Sequence, residues 1–400
     1  MWRNGNVWIV LIGELIAGLG LWSGIIGNLE FMQEKVPSDF HKSLILASGL
    51  LAGVLMGPLA GRIIDQSKKK NVLIVSSIAR VLSVLFMFVA ISTGSIWWMV
   101  LFLISLQISA SFYFPALQAT LPLIVKEQDL LQLNGMHMNI ATIARVTGTA
   151  IAGLILVYWP IQTLYMMSMI AYAGLLGFTF LLKIDETKKP KEKLAKGKSG
   201  FKEVFPMLKD NKVVLMTLLL ALIPVLFIGS FNLIVINVSE IQDSSSIKGM
   251  IYAVEGISFM LGTFAVKYIG TKWKIQHILF FFVYVIGFAE LLLFFADMAF
   301  ITLLAFALFG FAIGCFFPTA MTIFQKQVPK AIHGRFFSFR NMMDRVSFQV
   351  VLLSTGALLD IIGLPYMAIV FAITSICLST LFLYLLKRNR VNIQLQPEKI

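Results

Sequence analysis

The stretch Gly57-Pro58-Leu59-Ala60-Gly61-Arg62-Ile63-Ile64-Asp65-Gln66-Ser67-Lys68-Lys69-Lys70 joins two long apolar runs and decides how the rest of the chain is read. Glycines at a helix end, an acid four residues after Gly61 and a closing lysine cluster make a tight, charged hairpin at the edge of an apolar layer. The pattern recurs some 205 residues later, where Gly262-Thr263-Phe264-Ala265-Val266-Lys267-Tyr268-Ile269-Gly270-Thr271-Lys272-Trp273-Lys274 again ends an apolar run in small residues and lysines. A second echo stands at nearly the same offset, Phe112-Tyr113-Phe114-Pro115-Ala116 against Cys315-Phe316-Phe317-Pro318-Thr319. Two matches at one offset point to a duplicated chain.

Apolar residues make up 58% of the 400 and charged ones 13%, with mean hydropathy +0.86, where soluble domains carry about 25% charge. Crossing a hydrocarbon core takes about 20 apolar residues. Twelve runs meet that length, near 7–27, 43–61, 72–91, 96–118, 134–157, 163–182, 213–237, 247–267, 277–296, 299–324, 337–359 and 365–386. No small-residue cleavage site follows Met1 to Asn6, so the first run reads as a retained helix. The longest polar stretch, Lys183 to Lys212, holds ten lysines and divides the runs six and six. The predicted organisation is a six-helix bundle over 1–182, a linker over 183–212, a second bundle over 213–386 and a tail over 387–400. In the linker, Phe201, Val204, Phe205 and Leu208 at helical spacing predict a short amphipathic helix. The fold class is thus all-α and membrane-embedded, with twelve transmembrane helices in two pseudo-symmetric bundles.

The net charge of +13 does not point to nucleic acid, because of where it falls. Of 33 Lys and Arg, only Lys35, Lys42 and Lys248 lie in one alternate set of loops and Arg80 and Arg145 lie inside spans, leaving 28 at the other surface. Such asymmetry follows the positive-inside rule and predicts cytoplasmic termini in a multi-pass protein of a bacterial plasma membrane, with anionic lipid as a secondary contact. Cys315 and Cys377 each sit within apolar runs, which argues against a disulfide framework. Gly197-Lys198-Ser199 imitates the end of a phosphate-binding loop, but Glu192 stands where that motif's first glycine belongs.

In the second run, Gly49, Gly53, Gly57 and Gly61 are spaced by four and share one helix face, a ladder that lets helix backbones approach closely in lipid. The hairpin from Gly61 to Lys70 resembles the signature loop between helices two and three of the major facilitator superfamily: Gly61 and Asp65 match, and Lys69 and Lys70 supply the closing basic pair. Phe114-Pro115-Ala116-Leu117-Gln118-Ala119-Thr120-Leu121-Pro122-Leu123 resembles the exit of helix four in the macrolide-efflux-like, multidrug exporter branch. Gln66 departs from the family's usual arginine, Lys68 from its frequent glycine, and Leu106 from the arginine of many proton antiporters. The antiporter signature of helix five survives in part as Gly148-Thr149-Ala150-Ile151-Ala152-Gly153, with Thr149 in place of proline, so Gly148 and Gly153 join the expected packing glycines.

The resemblance implies that spans one, four, seven and ten line a cavity opening alternately to each side. The ionisable residues that lipid should exclude are the candidates to face it. Glu14, mid-span in the first run, and Glu255, central in the eighth, are the proton-coupling candidates; Glu290 lies nearer a helix end and is expected to snorkel to the interface. Arg80 and Arg145 are the cavity cations, each equally able to neutralise an acid, with Glu14 and Arg145 a conceivable pair. His137 and Asn139 read as ordinary polar packing, and no second histidine stands at a metal-ligand spacing. Family geometry would set Asp65 near the start of the eleventh helix, where Arg340 would complete a conformational latch with Gly61, Lys69 and Lys70. No His-Glu-x-x-His or Gly-x-Ser-x-Gly run occurs, which disfavours an enzyme. The expected function is export of amphipathic small molecules by a monomer driven by proton entry, without cofactor or metal; the alternatives are export of a siderophore or native metabolite, or movement of a lysolipid.

Overall fold

A computed structural model describes residues 3–126, 129–184, 204–329 and 332–388. Every regular element among them is helical: α1 Gly5–Lys35, α2 Asp39–Gln66, α3 Lys69–Thr93, α4 Ile96–Ile124, α5 Leu130–Tyr158, α6 Gln162–Leu181, α7 Val204–Asp210, α8 Lys212–Leu220, α9 Ile223–Ile241, α10 Ser246–Lys272, α11 Ile275–Leu292, α12 Ala299–Gln327 and α13 His333–Arg388. The long helices outrun the predicted spans by a turn or more at many ends, because polar caps outside the apolar layer continue the backbone ladder. Asn4 caps α1 by accepting from the Asn6 amide at 3.0 Å, and Ser38 caps α2 by accepting from the His41 amide at 3.2 Å.

Three of the twelve spans depart from a single rod each. The seventh is α8 followed by α9, parted at Ala221 and Leu222 just before Pro224, which has no N–H to continue the ladder. The eleventh and twelfth lie in α13, whose 56 residues would stretch about 84 Å at 1.5 Å per residue, far more than one crossing of about 30 Å needs. Gly363, at φ 73° and ψ 171°, breaks it in a conformation that a side chain would strain.

The described residues form two compact units. The first holds those up to 184 together with Ser244–Ala253, and the second holds 204–243 and 254–388. In the first, α1 packs between α5 and α6, α3 packs on α4 and α6, and α2 packs on α4. Glycines set these distances: a Cβ on Gly148 would lie 3.2 Å from the Leu19 carbonyl oxygen of α1, and one on Gly20 would lie 3.3 Å from that of Ser168 on α6. The opening turns of α10 join the same unit, with a Cβ on Gly153 of α5 only 3.1 Å from the Ser246 carbonyl oxygen. In the second unit, α10 and α12 cross backbone to backbone, so that a Cβ on Gly310 would collide with the Glu255 carbonyl and one on Gly314 with that of Phe259.

The glycine ladder of α2 is packed over half its length only. Gly49 and Gly53 abut Leu103 and Gln107 of α4, whereas nothing lies within 4 Å of a Cβ placed on Gly57 or Gly61. Gly57 is therefore not the packing residue that its spacing predicts; periodicity identifies a face, not what covers it. The linker helix is short and only partly covered. In the seven-residue α7, Val204 and Leu208 are buried in protein, while Phe205 stays 58% exposed and lies edge-on to Phe339 at 5.5 Å; Phe201 lies outside the described residues.

Each lysine of the sparsely charged loop set has an acid beside it. Lys42 meets Asp39 at 3.0 Å, Lys35 meets Glu34 at 2.6 Å and Lys248 meets Glu30 at 2.7 Å. The charge asymmetry of the sequence is thereby sharpened, since these three cations are locally neutralised.

Candidate functional site

Glu14 lies nine residues into α1, about 14 Å along the helix axis. The residues around it, Gly13 and Ala17 among them, are small or apolar, so the carboxylate has no water-rich surface of its own helix to reach. Two neighbouring helices supply its partners. The Tyr113 hydroxyl of α4 donates to Oε1 at 2.6 Å, and Nε2 of His137 on α5 stands 3.4 Å from Oε2, with the proton on either nitrogen according to tautomer. Tyr113 is buried, while Glu14 and His137 keep 12% and 13% of their side chains exposed. A short O–H···O⁻ bond is charge-assisted and roughly twice as strong as a neutral one. The group is thus held in place with a small part of its surface still exposed.

Behind Tyr113 sits Arg80 of α3. Its guanidinium carbon is 4.3 Å from the centre of the Tyr113 ring, 5.1 Å from Phe114 and 5.9 Å from Tyr172 of α6. Arg80 is 5% exposed, and its Nε has no hydrogen-bond partner among the described residues. Cation–π attraction of about 0.5–2 kcal/mol per ring replaces the acid partner that the sequence suggested. One tyrosine therefore touches an anion with its hydroxyl and a cation with its ring face, linking α1, α3 and α4 through a single side chain.

The other sequence candidates fall elsewhere. Arg145 stands over the Trp22 ring at 5.9 Å on α5; the groups on Glu14 are Tyr113 and His137, so no Glu14–Arg145 pair forms. Glu255 is buried on α10 where that helix crosses α12. Glu290 is 2% exposed on α11 and does not snorkel, because α11 turns that face against α13, with Gly287 abutting Ile376. Asn139 is exposed. Lys69, buried, donates Nζ to the carbonyls of Ile64 and Ser67 and so seals the open end of α2, and Lys70 donates to the Phe180 carbonyl at the end of α6. Both lysines therefore brace the hairpin within its own unit. Arg340 meets Asp344 at 3.5 Å and covers the Phe324 ring at 4.8 Å; the side chain of Asp65 lies outside the described residues.

A second constellation gathers at the far end of α1. Lys248, fully buried, and the Ser245 hydroxyl both donate to Glu30, at 2.7 and 2.8 Å, and Trp22 lies 5.8 Å from Tyr252. These contacts hold the first turns of α10 to α1. Sequence reading overlooked both constellations: Tyr113 was visible only as part of an aromatic-proline repeat, and Glu30 and Lys248 are separated by 218 positions.

Among the described residues no group of three or more His, Cys, Asp or Glu could hold a metal ion. The sequence model of the Major Facilitator Superfamily matches residues 10–350 and again 291–399. Macrolide efflux protein A of Streptococcus pyogenes is 24% identical over 139 residues, 34% of each chain, and the MFS-type transporter YfiS of Bacillus subtilis (strain 168) is 24% identical over 259 residues, 63% of this chain and 61% of that one. The chain thus aligns with about a third of the length of the first relative and under two thirds of the second. A crystallised point mutant of the nucleoside transporter NupG superposes with a TM-score of 0.78 over 95% of this chain and 99% of its own, at 14% identity, a likeness of fold. With the family model spanning both halves, and among the described residues eleven helical stretches long and apolar enough to cross a membrane, the last of them broken at Gly363, this multi-pass membrane protein belongs to the Major Facilitator Superfamily, a family of transporters and not of enzymes.

Proposed function

We propose that the protein exports amphipathic, drug-like small molecules from a bacterial cell by proton antiport, with Glu14 carrying the coupled proton. The observation behind this reading is the Tyr113–Glu14–His137 arrangement: a carboxylate in mid-span, oriented by a phenol, with an imidazole at 3.4 Å as a second seat for the proton. Exchange of a proton for a substrate demands a site that favours each in turn. A carboxylate fixed on one side and partly open on the other meets that demand. The partial similarity to macrolide efflux protein A supports the direction and the substrate class.

The loop charges support cytoplasmic termini. Alternating access also needs contacts that form and release, and we assign that role to Glu30 with Lys248 and Ser245, since the helix they anchor continues into the second unit. Transport of a panel of macrolides, other amphipathic drugs, siderophores and lysolipids by purified protein in liposomes tests the substrate class. Gradient-driven movement of a siderophore or lysolipid and of none of the drugs would replace this reading with one of its alternatives.

A further inference from the structure

A crevice of about 620 Å³ runs along α3 and α4 and reaches the hairpin end of α2, where Ile63 and Ser67 border it. Its walls are Ile63, Val72, Val75, Ala79, Ile108 and Phe112, with Ser76, Ser105 and Ser109 between them and Ser67 and Asn71 at the hairpin end. The serines do not make the shaft polar: Ser76 spends its hydroxyl on the carbonyls of Val72 and Leu73, and Ser109 donates to the Ser76 carbonyl across the helices. Ser67 and Asn71 form no side-chain hydrogen bond among the described residues, and exposed Arg62 and Lys68 flank them. Val75 is 65% exposed and shares its stripe with exposed Ile78 and Leu82, so the floor of the crevice opens towards the lipid side of α3.

We propose that this crevice binds an acyl chain of an anionic membrane phospholipid, whose head group sits at the α2–α3 hairpin. The crevice is open along one side, and in a bilayer the material at hand to fill it is hydrocarbon. The polarity gradient fits one end of such a molecule to each end of the crevice: aliphatic side chains, the spent hydroxyls of Ser76 and Ser109 and the single unspent one of Ser105 along the shaft, unspent donors and positive charge at the mouth. Juxtamembrane basic clusters attract anionic lipid in just this position. Among the described residues no carboxylate, histidine or arginine lines the shaft, so the site is chemically separate from the Glu14 cluster and does not depend on the proton reading.

The test uses the full-length protein in liposomes containing phosphatidylglycerol or phosphatidylcholine with a photoactivatable diazirine in mid-chain, and maps adducts by peptide mass spectrometry. Adducts should concentrate on the peptides bearing Val75, Ala79, Ile108 and Phe112, several-fold more from phosphatidylglycerol. Ala79→Trp, which fills the shaft, should abolish them; Ser105→Phe fills it from α4 should the first variant fail to fold. Arg62→Gln with Lys68→Gln should leave labelling but equalise the two lipids. Adducts spread evenly over the lipid-exposed faces, equal labelling by both lipids in the unaltered protein, or displacement of the label by a transported drug would each overturn the proposal, the last by making the crevice a substrate site.

Discussion

Replacing Glu14 by glutamine isolates the charge from the shape of the site. Glutamine keeps the length of the side chain, its oxygen still accepts from Tyr113, and its amide still reaches towards His137. What is lost is the charge-assisted part of two contacts, about 1–2 kcal/mol in all, a cost that leaves the protein folded. The effect on coupling is of another order. If one carboxylate carries one proton per cycle, a gradient of one pH unit supplies about 1.4 kcal/mol, enough to sustain a tenfold accumulation of a neutral substrate. Glu14→Gln, permanently neutral, should reduce that ratio to one while leaving downhill exchange between equal pools in place. The assay is substrate accumulation in proteoliposomes with an imposed pH gradient, beside counterflow without one, for the native protein, Glu14→Gln and Glu255→Gln. Tenfold accumulation by Glu14→Gln would refute the reasoning, and its loss in Glu255→Gln alone would move the coupling to α10.

Four further outcomes are expected. Arg80→Met removes a buried guanidinium that has aromatic rings around it and no hydrogen-bond partner on Nε among the described residues, so thermal stability should hold or rise while uphill transport falls; a parallel fall of both would make Arg80 structural. Lys248→Gln should loosen the first turns of α10 from α1, raising the labelling rate of Ser245→Cys by an impermeant maleimide several-fold, and an unchanged rate would remove Glu30 and Lys248 from the conformational cycle. Gly310→Ala drives a methyl into the Glu255 carbonyl and should cost about 1–3 kcal/mol by overpacking, read as a clear drop in melting temperature; no drop would contradict the close crossing of α10 and α12. For topology, impermeant reagent outside intact cells should reach Asp297→Cys, which is exposed beside α12, and miss Ser199→Cys, and the opposite pattern would invert the orientation.

The sequence by itself determined the membrane class, the number of spans and the duplication, because these rest on local quantities. Twenty apolar residues cross a bilayer whatever they touch, and an echo at one offset needs no coordinates. Glu14 was singled out on the same ground, as an acid where lipid forbids one. Its partners were not legible. Tyr113 and His137 lie 99 and 123 positions away, and nothing in their own surroundings distinguishes a phenol or imidazole that meets a carboxylate from one that packs in a core. The ladder of α2 shows the same limit from the other side. Its spacing placed Gly49 and Gly57 on one face, and only the path of α4 decided that the first is covered and the second is not. Arg80 was read as a cavity cation or the partner of an acid and is found among three rings, since the stabilisation of a buried charge depends on which helices surround it, and that is a property of tertiary packing alone.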